Sequence, residues 1–443
     1  MAKFSTSSRN KPSNMTNDGC LYMGGAVFAF LLVWCGWSYA NPIVFGGNNF
    51  MLRIVSDMRS ECCTHPTPNL RFDPPDSTFY DDSELRYSID KKVTGWDDKR
   101  KEWLKRHPTF TAGSKDMIVM VTGSQPNPCQ NPIGDHLLLR AFKNKVDYCR
   151  IHGYDVFYNN VLLHPRMKSY WAKLPVVKAA MLAHPEAEWI WWVDSDAVIT
   201  DMEYKLPLDR YNYKGHNLVV HGWPKLIYEE KSWTSLNASV FLIRNCQWSM
   251  DFIDAWANMG TISPDYKKWG EIQRSVFKDK LFPESNDQTA LIYLIYKDRR
   301  LTDKIYLEGE YYFKGYWVEI VPTYYNITKK YVGIEREDNL LRRRHAEKVS
   351  EQYAAFREPH LKEAGNGRWC WRRPFITHFT GCQPCSGNHN QIYAEESCWN
   401  GMLKALNFAD NQVLRKYGFV HPDLLDSKTV TDSLFDYPDE GPW

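Results

Sequence analysis

The stretch EWIWWVDSDAVITDM, residues 188–202, contains an apolar run that ends at two aspartates. Residues 189–193 have the continuous apolar character of a strand buried on both faces. Asp194 and Asp196 follow, and in an extended chain this spacing points both carboxylates to one side. Two such carboxylates repel each other unless a cation lies between them, and a hard divalent cation would also leave positions for a phosphate. The alternative is a polar strand end at which Asp194 or Asp196 only caps the next helix.

The segments before this stretch alternate between strand and helix patterns. DMIVMVTGSQ (116–125) predicts a strand closed by Thr122, Gly123 and Ser124, a glycine turn of the kind that presents backbone N–H groups to a nucleotide. A helix ending near Gly153, the strand YDVFYNN (154–160) and the helix WAKLPVVKAAMLAHP (171–185) come next. This order predicts an α/β sheet with parallel members, in which ligands gather at the carboxyl ends of the strands. TGS and DSD both fall there, which favours a binding site over a helix cap.

The segments after this stretch add further polar groups at the ends of predicted elements. HNLVVHGW (216–223) and SLNASVFLIRN (235–245) predict strands, and ESNDQTALIYLIY (284–296) predicts a helix whose N-terminus holds Asn286, Asp287 and Gln288. The simpler interpretation makes Ser285, Asn286 or Asp287 just an N-cap. In RRPFITHFTGCQPC (372–385), a strand edge would present His378, and Gly381 would allow close backbone approach.

The N-terminus predicts a membrane anchor. CLYMGGAVFAFLLVWCGWSYA (20–40) has no charged residue and is long enough to span a bilayer as a helix, and the basic residues before it indicate a cytosolic tail, 1–19. A cleaved signal peptide is the alternative, but bulky residues stand where cleavage would fall. We therefore expect a type II protein with a stem over 41–112, a lumenal catalytic domain over 113–430 and a C-terminal tail over 431–443.

Composition and cysteine usage bound the function further. The chain has 55 basic and 53 acidic residues, so no broad positive field indicates nucleic-acid binding. Cys382 and Cys385 form a C-x-x-C pair, which fits disulfides in an oxidising lumen better than any regular zinc module. Asn326 is the expected glycan site, whereas Asn237 lies in the predicted active-site wall and should be bare.

Together these motifs resemble the plant family 34 glycosyltransferases, over about residues 70–425 and in consistent order. The matching segments include VTGSQP, SYWAKLP, WIWWVDSDAVITDMEYKLPLDRY, SLNASVFLIRNCQWS, SNDQTALIYLI and THFTGCQPC. GDHLLLR, FYNNVLLHP and RRRHAEKVSEQY look like the galactomannan galactosyltransferase branch. The resemblance implies a GT-A fold, a Golgi membrane anchor, Mn²⁺, and retaining transfer of galactose from UDP-galactose to O6 of mannosyl residues in a β-1,4-mannan backbone. A mannan synthase is a candidate partner.

The resemblance also assigns roles to residues of this chain. Asp194, Asp196 and His378 would hold the metal. The implied donor-binding residues also include Thr122, Gly123, Ser124, Lys173, Ser195, Asn237, Gly381 and Gln383. Asp287 and Gln288 would be catalytic, with Asp287 stabilising the cation-like sugar centre and the Gln288 amide close to it.

Three positions depart from the family pattern: Asn286, Ser239 and Gln383. Relatives often carry an acid, a glycine and, in the xylosyl branch, a lysine at these places. None of the departures removes a metal ligand, so we expect an active enzyme. The first alternative is a xyloglucan 6-xylosyltransferase that uses UDP-xylose. The second is an inactive glycan-binding or scaffold subunit of a Golgi complex.

Overall fold

The computed structural model describes residues 88–111, 117–130, 132–309, 313, 315–342, 347–365 and 372–434. All of them belong to one compact unit, residues 71–443. The predicted tail and anchor, and the predicted stem up to residue 87, lie outside the described residues. Within the described ranges no helix is both long and apolar enough to cross a bilayer.

A central six-stranded sheet has the order β2-β1-β3-β6-β5-β7. β1 pairs in parallel with β2 and β3, β6 runs antiparallel to β3 and β5, and β5 pairs in parallel with β7. The predicted α/β sheet with parallel members is thus confirmed, and the antiparallel strand β6 makes it a mixed sheet. The strands are β1 (Ile118–Gly123), β2 (Asp155–Asn159), β3 (Trp189–Val193), β4 (Ala197–Ile199), β5 (Leu218–Gly222), β6 (Leu236–Arg244), β7 (Ile305–Glu308), β8 (Gly315–Tyr316), β9 (Ile376–His378), β10 (Cys382–Gln383), β11 (Asn388–His389), β12 (Phe419–Val420) and β13 (Thr431–Asp432).

Helices cover the sheet on both faces. They are α1 (Trp96–Arg106), α2 (Pro108–Thr111), α3 (Pro132–His152), α4 (Lys173–Ala183), α5 (Leu208–Tyr213), α6 (Gln247–Ala257), α7 (Tyr266–Val276), α8 (Asp287–Lys297), α9 (Trp317–Ile320), α10 (Tyr324–Glu337), α11 (Asn339–Arg342), α12 (Ser350–Ala364) and α13 (Glu395–Leu414). The predicted helices α3, α4 and α8 are confirmed. Gly153, just after α3, has φ of +70°, which suits a residue without Cβ.

The tryptophan-rich strand β3 forms the centre of two apolar cores, one on each face of the sheet. Trp189, Trp191 and Val193 pack with α3, α10 and α13, whereas Ile190 and Trp192 pack with α4, α6 and α8. All five are buried, as predicted. Burying roughly 200 Å² of an indole is worth up to about 5 kcal/mol at ~25 cal/mol per Å². Packing therefore fixes β3 firmly, and the polar residues after it extend from a rigid edge.

A second, three-stranded sheet has the order β4-β9-β8 and lies directly after the DSD turn. β9 pairs antiparallel with β4, so that Ala197 is opposite His378. The predicted strand that presents His378 is confirmed, although it is the middle strand of this sheet rather than an edge. This pairing places His378, from the C-terminal part of the chain, opposite Ala197, the residue that follows Asp196.

The part of the predicted stem nearest the body packs on the apolar core. Trp96 and Trp103, seven residues apart on α1, are buried there with Val93. Trp96 Nε1 donates to Asn245 Oδ1 at 2.7 Å, and Arg100 pairs with Glu188 at 3.1 Å. Charged residues between the two tryptophans conceal this apolar face in the sequence, which explains why the segment reads as stem.

Disulfides fasten the C-terminal segment, as predicted. Cys129 bonds to Cys385, and Cys382 bonds to Cys398. The C-x-x-C pair therefore joins two different partners and does not form a zinc site.

Near the end of the described chain, β13 pairs with β12, so that Thr431 and Asp432 lie against Phe419 and Val420.

Candidate active site

Asp194, Asp196 and His378 meet where β3 ends and the small sheet begins. Each offers a ligand atom, and these atoms all lie within 4.8 Å of one another. The two aspartate side chains are 23% and 24% exposed, whereas His378 is buried. His378 Nδ1 has no hydrogen-bond partner among the described residues. Two carboxylates and an imidazole form a donor set that suits a first-row divalent cation, so the side chains fit the metal that the resemblance implies.

Asp196 is held ionised by its neighbours. His378 Nε2 lies 3.3 Å from Asp196 Oδ1. Burial opposes ionisation of Asp196, but the adjacent imidazole outweighs it and lowers the carboxyl pKa. The charged form is the one that binds a cation.

Lys173 joins the first carboxylate to a third. Its Nζ lies 2.8 Å from Asp287 Oδ2 and 3.3 Å from Asp194 Oδ1, and it donates to Ala238 O at 3.0 Å. The two carboxylates outweigh burial and raise the Lys173 pKa. An ammonium has three protons, and three protein groups take them here. Lys173 was predicted to meet the nucleotide, and the structure places it as a bridge between Asp194 and Asp287.

Asp287 begins α8 beside this lysine. Its side chain is buried, and burial raises its pKa against the opposing effect of the Lys173 ammonium. Asn286 is the N-cap, because its side chain accepts from the Thr289 N–H at 2.8 Å. The simpler interpretation of this polar cluster thus holds for Asn286, and not for Asp287.

Asn237 and Gln288 form a second polar pair. Asn237 Nδ2 donates to Gln288 Oε1 at 3.1 Å, and Gln288 Nε2 donates to Trp233 O at 3.1 Å. Asn237 Oδ1 accepts from the Ser239 N–H, and Ser239 O accepts from the Asp194 N–H at 2.9 Å. These bonds place the Asn237–Gln288 pair next to the carboxylates. Asn237 is buried, and that it carries no glycan stays a prediction.

The TGS turn lies at the end of β1, beside the end of β3. Thr122 is buried, and its Oγ1 has no hydrogen-bond partner in the described part of the chain. A Cβ on Gly123 would stand 2.2 Å from Asn159 O, so only glycine allows β2 this close. Ser124 Oγ accepts from Tyr158 OH at 2.7 Å. The predicted donor-binding turn therefore borders the acidic cluster.

The remaining predicted residues are Gly381, Gln383 and Asn326. Gly381 has φ of +81°, and a Cβ there would stand 2.9 Å from the Tyr393 ring. Gln383 is exposed and accepts from Ser386 Oγ at 3.2 Å. Among the described residues we find no contact between Gln383 and the carboxylates. Asn326 is exposed on α10, as a glycan acceptor must be.

Lys145 and Asn144 are the site neighbours that the sequence analysis missed. Lys145 is 1% exposed, and its Nζ donates to Ala197 O at 2.8 Å. Burial lowers the Lys145 pKa to about 8, although Asp196 and Asp194 oppose this. One signal could have revealed it: Lys145 stands four residues after Ala141 and three before Tyr148, on an otherwise apolar helix face.

Comparisons with known proteins identify the family of this chain. Residues 114–389 match the galactosyl transferase GMA12/MNN10 family. Glycosyltransferase 6 of Arabidopsis thaliana is 62% identical over 96% of this chain and 96% of its own length. Galactomannan galactosyltransferase 1 of Cyamopsis tetragonoloba is 58% identical over 99% of this chain and 100% of its own. "Probable xyloglucan 6-xylosyltransferase 3" of A. thaliana is 43% identical over 85% of this chain and 74% of its own. The chain belongs to glycosyltransferase family 34, the galactosyl transferase GMA12/MNN10 family.

Proposed function

We propose that this protein is a galactosyltransferase that moves α-galactose from UDP-galactose to O6 of mannosyl residues in a β-1,4-mannan, with retention of configuration and with Mn²⁺. One observation carries the proposal. The convergent group of Asp194, Asp196 and His378 lies beside the buried Lys173–Asp287 pair, at the sheet edge where the TGS turn also ends. The higher identity to a galactomannan galactosyltransferase than to a xylosyltransferase supports galactose over xylose.

The chemistry divides between the two parts of the site. Asp194, Asp196 and His378 would hold the Mn²⁺, which would supply positive charge to stabilise the leaving diphosphate. Asp287 contributes negative charge for the sugar centre that becomes positive as the bond to UDP breaks. Lys173 holds that carboxylate in place through an ion pair at 2.8 Å, and its positive charge favours the ionised form against the larger opposing effect of burial on the Asp287 pKa.

The Asn237–Gln288 pair is suited to orienting the transferred sugar. Each amide both donates and accepts hydrogen bonds, as sugar hydroxyls do. Because their own bonds to Ser239 N and Trp233 O fix them, they can discriminate between hydroxyl positions at little entropic cost.

We also propose that the protein is a single-pass type II protein of the Golgi membrane with a lumenal catalytic domain. The charge-free apolar segment 20–40 and the basic residues before it support this topology. Protease treatment of intact Golgi vesicles should clip only the tail before Cys20. Cleavage of the body from outside would refute the topology.

The test of the function is a donor and acceptor comparison with the purified lumenal chain. UDP-galactose and UDP-xylose are each supplied with manno-oligosaccharides and with cello-oligosaccharides at saturating Mn²⁺, and the anomeric proton of the product is assigned by NMR. We expect α-linked galactose on the manno-oligosaccharides. Xylose on the cello-oligosaccharides would establish the xyloglucan alternative, and no transfer from either donor would favour an inactive scaffold subunit.

A further inference from the structure

Lys145 is an ammonium group in the interior without a carboxylate at ion-pair distance among the described residues. Its Nζ donates to Ala197 O at 2.8 Å and lies 3.4 Å from Ser195 O and from Ala141 O. The two buried lysines of α4 differ from Lys145, because each has a carboxylate partner. Lys173 pairs with Asp194 and Asp287, and Lys178 pairs with Asp254 at 2.7 Å. Burying an ammonium costs free energy that carbonyls alone offset only in part, so packing does not explain Lys145.

Two of the three carbonyl groups that the Lys145 ammonium contacts flank a predicted metal ligand. Ser195 and Ala197 are the residues immediately before and after Asp196. The lysine therefore contacts the backbone of the DSD turn from the side of α3, whereas β9 pairs with β4 after the turn.

Asn144, the preceding residue of α3, holds the next part of the same segment. Its Nδ2 donates to Ile199 O at 2.8 Å, and its Oδ1 accepts from the Ile199 N–H at 2.8 Å. Asn144 and Lys145 thus bind backbone groups from residue 195 to residue 199. A helix of 21 residues packed in the core provides the rigid support.

We propose that Asn144 and Lys145 are positioning residues that fix the backbone of the DSD turn, so that the Asp194 and Asp196 carboxylates converge with His378. The inference rests on the proposed function, because the convergence matters only if these three side chains bind a cation. Partners that orient ligands from behind commonly change metal affinity 10- to 100-fold when they are removed.

The direction of the change in Mn²⁺ affinity distinguishes a positioning role of Lys145 from a role of its charge alone. A lysine near the site repels a divalent cation, so a role limited to its charge predicts tighter Mn²⁺ binding after Lys145→Met. A positioning role predicts weaker binding, because the freed turn spreads the two carboxylates over more conformations. Methionine keeps the shape of the side chain and removes both its charge and its donors.

The experiment compares Lys145→Met with Lys178→Met, a matched loss of a lysine that is also 1% exposed but lies in α4, where it contacts Lys91 O and Asp254 instead. Hydrogen exchange of the peptide covering residues 194–200 is measured without metal, and the free Mn²⁺ signal in electron paramagnetic resonance gives the dissociation constant. We expect Lys145→Met alone to speed exchange in this peptide about tenfold and to weaken Mn²⁺ binding about tenfold or more.

Exchange and Mn²⁺ affinity that match those of Lys178→Met, or tighter Mn²⁺ binding, would overturn the inference. If Lys145→Met does not fold, Asn144→Ala and Lys145→Gln undergo the same two measurements, and parental behaviour of both would overturn it equally. If the parental protein binds no Mn²⁺, the proposed metal site fails, and the exchange data still decide whether α3 restrains the turn.

Discussion

Two clusters of buried charged residues in this protein differ in how far their acidic side chains are matched by basic ones. The first, which we call the closed cluster, consists of Glu203, Glu335, Arg357, Arg373 and Lys416, all less than 10% exposed. Arg357 contacts both glutamates, and Arg373 pairs with Glu203 at 3.0 Å. The second is the candidate site, where Lys173 contacts Asp194 and Asp287, His378 contacts Asp196, and Asp194 and Asp196 are about one quarter exposed.

The difference shows how to distinguish structural charge from a binding site. In the closed cluster both carboxylates have cationic partners and are at most about 5% exposed, so their negative charge is already balanced. In the candidate site, carboxylates outnumber the lysine that contacts them and two of them remain open, so a cation from solution can complete the balance. If candidate binding sites were ranked only by how deeply their charged side chains are buried, the closed cluster would come first.

The largest effect that we expect comes from breaking the closed cluster. Arg357→Met removes the guanidinium that contacts both Glu203 and Glu335, and removing one partner of a buried ion pair costs about 3–5 kcal/mol. Urea unfolding should show this loss, while the transfer rate per folded molecule stays parental. Lys362→Met, at an exposed position of the same helix, is the control and should change stability by less than about 0.5 kcal/mol. An Arg357→Met protein as stable as the parent would contradict the structural role.

The next effect concerns the third carboxylate of the site. Asp287→Asn keeps the shape of the side chain and removes its charge, and we expect the initial rate of galactosyl transfer at saturating Mn²⁺ to fall about a hundredfold or more. Parental activity would show that another group stabilises the sugar centre.

The smallest effect belongs to Asn286, the neighbour of Asp287. Asn286→Asp restores the acid that relatives often carry, and aspartate caps a helix as well as asparagine does. Because Asn286 binds the Thr289 N–H and not the Lys173 ammonium, we expect rates within about tenfold of the parent. A change as large as that of Asp287→Asn would mean that residue 286 also acts on the sugar.

Much of the fold could be predicted because its signals are local. The run of residues 189–193, the helix of residues 173–183 and the glycine turn at 122–124 each carry a periodicity or a turn residue that the structure bears out. The two-residue strands, such as β8, have no such pattern, and they form only because a neighbouring strand is already in place.

The site was predictable only in part, because its contacts are not local. DSD spacing indicates two carboxylates on one side, and the pattern of residues 376–378 indicates a strand that presents His378. The pairing of Ala197 with His378, however, follows from tertiary structure, and no local pattern brings that histidine to the aspartates. The ion pair of Lys173 with Asp287 and the bonds of Lys145 to the DSD turn likewise join segments far apart in the chain. A charged residue on an apolar helix face indicates that a partner exists without indicating which one.

Binding of Mn²⁺ to the parental protein and to Asp196→Ala tests the central claim most directly. Asp209→Ala, which removes an exposed aspartate on α5, is the control, and thermal unfolding is recorded for all three proteins. We expect about one bound Mn²⁺ per parental and Asp209→Ala chain. In Asp196→Ala we expect a folded protein with Mn²⁺ binding weakened about a hundredfold and almost no transferase activity. Parental Mn²⁺ affinity and full activity in Asp196→Ala would show that Asp196 is not a metal ligand.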